Sequence, residues 1–195
     1  MGELVLIRHG ETDWSRTGQY GSRTDLPLTA AGEAAGRALA AALAGRDLTA
    51  VFCSPLSRAM RTADLAGLTG VDPDPDLLEW DYGGYEGMTE DEIRHSRPGW
   101  SLWRDGVIPA ADGNPGETLK QVTARVDAVL DRARPLLDHG DVALIAHGHL
   151  QRVIAARWLG LDPSAARMFG HPHTGTISVL GTEHGQPVIS SWSAS

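Results

Sequence analysis

The sequence predicts an α/β domain, a three-layer α/β/α sandwich whose central sheet is mostly parallel and carries helices on both faces. Three observations carry that expectation. The runs Leu4 to Ile7, Ala50 to Cys53 and Val142 to Ala146 are short, apolar and without alternation, the pattern of strands buried on both faces. Apolar residues recur at helical spacing in the segments between them. Each run stops at a polar signal, Arg8-His9-Gly10, Ser54-Pro55 or His147-Gly148-His149, as βα units do at their turns.

Taken in order, the first strand is Leu4 to Ile7. Gly10 to Asp25 is rich in glycine, serine, threonine and arginine and reads as a loop. Thr29 is placed to cap an alanine-rich helix running to about Ala44. After the second strand, Ser54-Pro55 has the form of an N-cap with a first-turn proline, which puts Arg58 near the start of the next helix. The Asp/Pro-rich stretch Asp72 to Asp76 is followed by Leu77 to Gly84, an extended segment breaking into a turn. A short helix and a Gly/Pro/Asp-rich loop fill the region from about Thr89 to Gly116. Leu119, Val122, Val126, Val129, Leu130 and Ala133 then mark an amphipathic helix that Pro135 ends or kinks. The third buried strand leads into a helix from Leu150 to Leu159, and Thr176 to Leu180 with Pro187 to Trp192 form a closing strand pair.

Length and charge restrict what such a domain does. A chain of 195 residues suits one domain with one core, here 1–195 with 84–116 as a lid or insertion. The formal net charge of -8 argues against a nucleic-acid or anionic-membrane partner, while leaving room for a local cationic pocket. Cys53 is the only cysteine, so there is no internal disulfide framework; a buried structural thiol in a reducing compartment is expected. Leu4 to Ile7 is too short for a signal-peptide core or a membrane span, no targeting address is found, and cytoplasm is the expected location.

In open α/β sheets ligands bind beyond the carboxyl ends of the strands. Arg8, His9, Arg58 and His147 all follow such ends and are expected to meet there. Two histidines and two arginines around one pocket suit a phosphoryl group, which needs charge neutralisation and an in-line nucleophile. Glu79 is a candidate proton donor that afterwards, as carboxylate, activates water; Asp81 competes for that role, and Glu86 is near enough in sequence to do so as well. The guanidinium groups are expected to keep His9 neutral, whereas a bound phosphate favours a charged His147.

Arg8-His9-Gly10-Glu11-Thr12-Asp13-Trp14 resembles the signature of the histidine phosphatase superfamily, the group that contains cofactor-dependent phosphoglycerate mutases. Asp25 to Gly32, Ser54 to Ala59 with Thr62-Ala63, Glu79 to Gly83, Gly116 to Thr118 and Ala146 to His149 follow in family order, so the resemblance spans nearly the whole chain. Gly18-Gln19-Tyr20, Glu79 to Tyr82, Trp103 to Gly106 and the double histidine His147-Gly148-His149 look most like the branch of fungal sedoheptulose-1,7-bisphosphatase and its bacterial relatives. The resemblance implies a phosphoglycerate-mutase-like fold and a metal-independent phosphatase acting on a small phosphorylated metabolite of sugar-phosphate type. It implies His9 as nucleophile, Glu79 as proton donor and Arg8, Arg58 and His147 as the phosphate clamp, with Gly21, Ser22, Tyr82 and Arg152 near the substrate. The family commonly has Asn where this chain has Ser15, which puts the phosphate contact at Ser15 in question. Superfamily relatives are often oligomers, so a homodimer is the modest expectation.

Other readings of these residues fit the sequence less well. Cys53 and Arg58 are separated by four residues, whereas the loop of cysteine phosphatases needs five. His147, His149, His171 and His173 lack the carboxylate pattern of metallohydrolases, so no metal and no cofactor are expected. His149 reads as a helix-start residue outside the catalytic set, and Trp80 as a pocket wall beside Glu79. Two alternative functions stand beside hydrolysis: a phosphoglycerate-type mutase, for which the segment from Tyr82 to Gly116 looks short, and a catalytically weak phospholigand-binding protein on the same fold.

Overall fold

The computed structural model describes residues 2–194; Met1 and Ser195, the ends of the expected domain, lie outside the described residues. The elements follow the order β1 (Leu4–Arg8), α1 (Asp13–Thr17), α2 (Ala30–Leu43), β2 (Leu48–Cys53), α3 (Ser57–Leu65), β3 (Val71–Pro73), α4 (Glu90–Ser96), α5 (Leu102–Asp105), α6 (Leu119–Ala133), β4 (Asp141–Ala146), α7 (Gly148–Trp158), β5 (Ile177–Glu183) and β6 (Gln186–Ala194). One six-stranded sheet has the order β3-β2-β4-β1-β5-β6. The first four strands in that order pair in parallel and β5 and β6 pair antiparallel, so the sheet is mixed with a parallel body.

Why the apolar runs do not alternate is visible in where their residues go. Leu4, Leu6, Val142, Leu144 and Ala146 pack on one face against α6 and α7 and the segment 77–102. Val5, Ile7, Ala143 and Ile145 pack on the other, with Val51 and Cys53, against α2 and α3. Successive strand residues point to opposite faces, so a strand covered on both sides is apolar at every position.

Thr29 caps α2 as expected, accepting from the Gly32 backbone N–H. Helix α6 begins with a capping box between Thr118 and Gln121, and Pro135 turns its end into a 3-10 segment, Arg134–Asp138. Three local expectations differ. The loop expected from Gly10 to Asp25 contains α1, started by a Thr12–Ser15 capping box and stopped by left-handed Gly18. Ser54 is not an N-cap: α3 starts three residues later behind Leu56, and the Ser54 side chain is used elsewhere. Strand β3 runs into the start of the Asp/Pro-rich stretch, with too little apolar sequence to announce a sheet edge.

Residues 84–116 fold as α4 and α5 with their connections, anchored by buried Tyr85, Ile93, Trp100 and Leu102 in the core beneath α6 and α7. Trp80 belongs to the same core; it is fully buried, and its indole N–H donates to the Glu117 carbonyl.

Candidate active site

The parallel register brings the strand-end residues together. Arg8 pairs with Ala146, so His9 and His147 leave neighbouring strands side by side, and the His9 N–H donates to the Ala146 carbonyl at 3.1 Å. Their rings lie 5.0 Å apart, centroid to centroid. Ser54, one residue beyond β2, donates its N–H to the Ile145 carbonyl and joins the same edge. The loop after β1 is pulled tightly onto α2. A side-chain carbon on Gly10 or on Gly32 would overlap the facing backbone, and Gly10 N–H donates to Thr62 Oγ1 at 2.9 Å. Glycine at both places is what allows that approach.

A cavity of about 450 Å³ opens at this edge, within the range usual for small-ligand sites. Arg8, His9, Arg58, Glu79, Tyr82 and Arg152 are among its lining residues, together with Ser15 and Gly21. His147 is almost fully buried and forms the floor beside His9 rather than the cavity wall.

His9 is the best-defined member. Its Nδ1 lies 2.7 Å from the Gly10 carbonyl oxygen. A carbonyl only accepts, so Nδ1 carries the proton and the neutral ring keeps its lone pair on Nε2. Burial is the main cause that pushes His9 well below the ordinary histidine value, with the charges of Arg58 and Arg8 adding to it. The expected effect of the guanidiniums is therefore present but ranks second.

Arg58 is nearly fully buried, held by the carbonyls of Thr24 at 3.0 Å and of Gly21 and Ser22 at 3.2 Å each. Arg8 donates to the Pro172 carbonyl, and its buried Nε has no protein partner among the described residues. A buried guanidinium N–H without a partner is costly and suits an incoming anion.

Glu79, the preferred proton donor in the sequence, and its competitor Asp81 separate in space. The Glu79 carboxylate lines the cavity and accepts from three backbone N–H groups: Trp80 and Leu150 on Oε1, both at 2.9 Å, and His149 on Oε2 at 3.1 Å. Two of these belong to the first turn of α7, so Glu79 does for that helix what an N-cap side chain does. Asp81 does not line this cavity; it accepts from the Asn114 amide on both oxygens and from the Gly83 N–H. Glu86 is also committed, holding Ser22 through N–H and hydroxyl and the Thr24 N–H.

The substrate-side residues divide. Gly21, Tyr82 and Arg152 line the cavity. Ser15 lines it too, but its hydroxyl donates to the Thr12 carbonyl and accepts the Thr12 N–H within the capping box. Ser22 lies outside this cavity; its hydroxyl is 2.7 Å from Glu86 and its carbonyl accepts from Arg58, so it braces that guanidinium from behind.

Sequence reasoning missed part of the wall. Tyr20 stacks on Tyr82 at 4.7 Å, and buried Tyr82 places its hydroxyl 2.7 Å from His149 Nδ1. His171 packs against His149 at 4.9 Å, and burial pushes it down to about 3. Gly148 makes room for this, since a side chain there would overlap the His171 ring. The motif His147-Gly148-His149 was the available signal, because a glycine flanked by two histidines marks a crowded turn. Arg152 stands with its guanidinium carbon 4.7 Å from the Trp103 ring, bonded to the carbonyls of Ala166 and Arg167. Among the described residues no group of three or more His, Cys, Asp or Glu side chains is arranged to hold a metal ion.

Comparison with known proteins agrees with this geometry. The histidine phosphatase superfamily (branch 1) matches residues 4–195. An acid phosphatase of Mycobacterium tuberculosis is 40% identical over 185 residues, covering 93% of this chain and 87% of the relative. The sedoheptulose 1,7-bisphosphatase of Saccharomyces cerevisiae is 36% identical over 190 residues, covering 80% of this chain and 67% of the yeast protein. Among solved structures, the product of a Mycobacterium tuberculosis open reading frame superposes with a TM-score of 0.90 at 36% identity, covering 100% of this chain and 98% of the other. A mycobacterial glucosyl-3-phosphoglycerate phosphatase, solved with VO3, superposes with a TM-score of 0.83 at 28% identity and 100% coverage of both chains. With its motifs in order, its strand-end histidines side by side and this match along nearly its whole length, the chain belongs to the histidine phosphatase superfamily, branch 1.

Proposed function

We propose that the protein hydrolyses a small phosphorylated metabolite, a sugar phosphate or bisphosphate, through a phosphohistidine formed on His9. The observation that carries the proposal is the His9 tautomer: with Nδ1–H bonded to the Gly10 carbonyl, Nε2 is free as a nucleophile in a neutral ring beside the guanidiniums of Arg8 and Arg58. Relatives named as acid phosphatase, sedoheptulose 1,7-bisphosphatase and glucosyl-3-phosphoglycerate phosphatase support the substrate class.

In the first step Nε2 attacks phosphorus in line, and the bond from phosphorus to the leaving oxygen breaks. Glu79 gives that oxygen a proton from Oε2, the carboxyl oxygen with one backbone donor rather than two. The ring gains positive charge, which the Gly10 carbonyl stabilises through Nδ1–H. Arg8 and Arg58, with His147 beneath them, neutralise the phosphoryl oxygens. In the second step the Glu79 carboxylate takes a proton from water as its oxygen attacks phosphorus. The phosphorus–nitrogen bond breaks, its electron pair returns to Nε2, and inorganic phosphate leaves.

The organic part of the substrate meets Tyr20, Tyr82 and Arg152, and Glu90 from the segment 84–116, which we read as the lid-like part that sets substrate choice. Assay of a generic aromatic phosphate ester is the direct check. The wild type releases phosphate, and His9→Ala loses at least about 10³-fold in turnover; undiminished turnover in the variant would overturn the proposal. With 3-phosphoglycerate and a catalytic amount of 2,3-bisphosphoglycerate the expected product is free phosphate; rapid isomer formation with little phosphate would make the protein a mutase instead.

A further inference from the structure

Ser54 is fully buried beyond the end of β2, and its hydroxyl oxygen lies 2.8 Å from His147 Nε2. The Leu56 N–H points at that oxygen from 3.5 Å, a weak donor contact. Among the described residues the Ser54 hydroxyl hydrogen has no acceptor other than His147 Nε2. The other ring nitrogen, His147 Nδ1, is buried and has no protein partner.

These contacts allow two arrangements of the neutral ring. If Nε2 carried the proton and donated to Ser54, the hydroxyl hydrogen would be buried without an acceptor and Nδ1 would be an unpaired acceptor. If Ser54 donates, Nε2 accepts, the proton sits on Nδ1, and Nδ1–H is the only group left open. The second arrangement leaves one fewer buried polar group unpaired, and the remaining one is a donor on a ring whose centroid lies 5.0 Å from that of His9. Burial, Arg58, His9 and Arg8 all push His147 well below the ordinary histidine value, which favours the neutral ring that the choice requires.

We propose that Ser54 is a positioning residue whose hydroxyl holds the proton of neutral His147 on Nδ1, so that Nδ1–H meets an oxygen of the phosphoryl group bound at His9. The proposal rests on the phosphohistidine reading for its purpose, but the tautomer itself exists in the resting protein. It departs from the expectation that phosphate is gripped by a charged His147: the grip is a neutral hydrogen bond set from behind.

Nitrogen-15 NMR of the resting wild type, with His147 assigned by its loss in His147→Gln, tests the tautomer without any substrate. A protonated Nδ1 and unprotonated Nε2 are expected, and Ser54→Ala moves the proton toward Nε2. Ser54→Ala is also expected to lose about 10-fold to 100-fold in phosphoryl transfer and to bind orthovanadate more weakly, as changes behind a functional imidazole commonly do, while Ser54→Thr restores both. A wild-type ring protonated on Nε2 would overturn the assignment even if Ser54→Ala failed to fold. A folded Ser54→Ala with unchanged tautomer and vanadate affinity would do the same. Failure of the phosphohistidine reading is a separate result, seen as full activity in His9→Ala while the NMR result stands.

Discussion

At the scale of single residues the site depends on which atom carries a proton, and hydrogen bonds to backbone carbonyls and hydroxyls decide that. His9 offers Nε2 because Gly10 takes Nδ1–H, and burial keeps the ring neutral. The folded value lies below the usual one, so protonation of free His9 is not what limits activity at mildly acid pH. The acid limb of kcat/KM for the free enzyme is expected below about pH 6.5, and a limb that titrates at or above that value and vanishes with His9 would contradict it. The meeting of Arg8, His9, Arg58 and His147 was legible because His9 and His147 directly follow strand ends, Arg8 closes β1 and Arg58 stands in the first turn of the helix after β2. The partners of Ser54 and Ser22 were not legible because local sequence shows a hydroxyl and not its partner: Ser54 looked like a cap and Ser22 like a substrate contact, and both partners, His147 and Glu86, are distant in the chain.

At the scale of elements, the first turn of α7 and the segment 78–82 are held by one side chain. Glu79 accepts three N–H groups, so it has a structural task as well as the proposed chemical one, and the two are separable by mutation. Glu79→Gln can keep the acceptor for Trp80 and Leu150 but turns an NH2 toward the His149 N–H, so it is expected to lower kcat and to cost stability, though less than removal of the side chain. Glu79→Ala strands buried N–H groups and is expected to cost about 2–4 kcal/mol. Urea denaturation of both variants beside their turnover checks this, and equal loss of stability in the two would show that the capping role is wrong. Arg125 braces the same segment from behind, bonded to the carbonyls of Asp76, Leu78 and Glu79 and to the Glu117 carboxylate. Helix periodicity exposed α6 in advance, because its apolar stripe is long, and an alanine-rich run behind the Thr29 cap exposed α2. It missed α1 and β3, each too short for a period and made by capping and edge pairing rather than by apolar pattern.

For the whole molecule, the order of strands fixes the site: parallel β1 and β4 lie side by side at the middle of the sheet and deliver His9 and His147 to one edge. That convergence was readable from three apolar runs ending in polar residues. Most of the aromatic and histidine wall was not: Tyr82 was expected there, but Tyr20, His149 and His171 reach it from two separate loops and the start of α7. The same burial has a global consequence. His9, His147, His149 and His171 are all held below the ordinary value by burial first, so the unfolded chain binds protons before the folded one does. Stability is therefore full above about pH 6.5 and falls as pH drops below it, by up to about 1.4 kcal/mol per pH unit for each histidine. The urea midpoint is expected to decline between about pH 7.5 and about pH 5.5, and a midpoint that stays level or rises would contradict the burial of these rings.

The central claim is the covalent intermediate on His9. Rapid alkaline quenching of the protein during turnover of a radiolabelled phosphate ester, followed by peptide mapping, tests it most directly. An acid-labile, base-stable label on the peptide bearing His9, absent in His9→Ala and chased to inorganic phosphate by unlabelled substrate, is the predicted result. Steady turnover with the label on another residue, or undiminished turnover in His9→Ala, would contradict it.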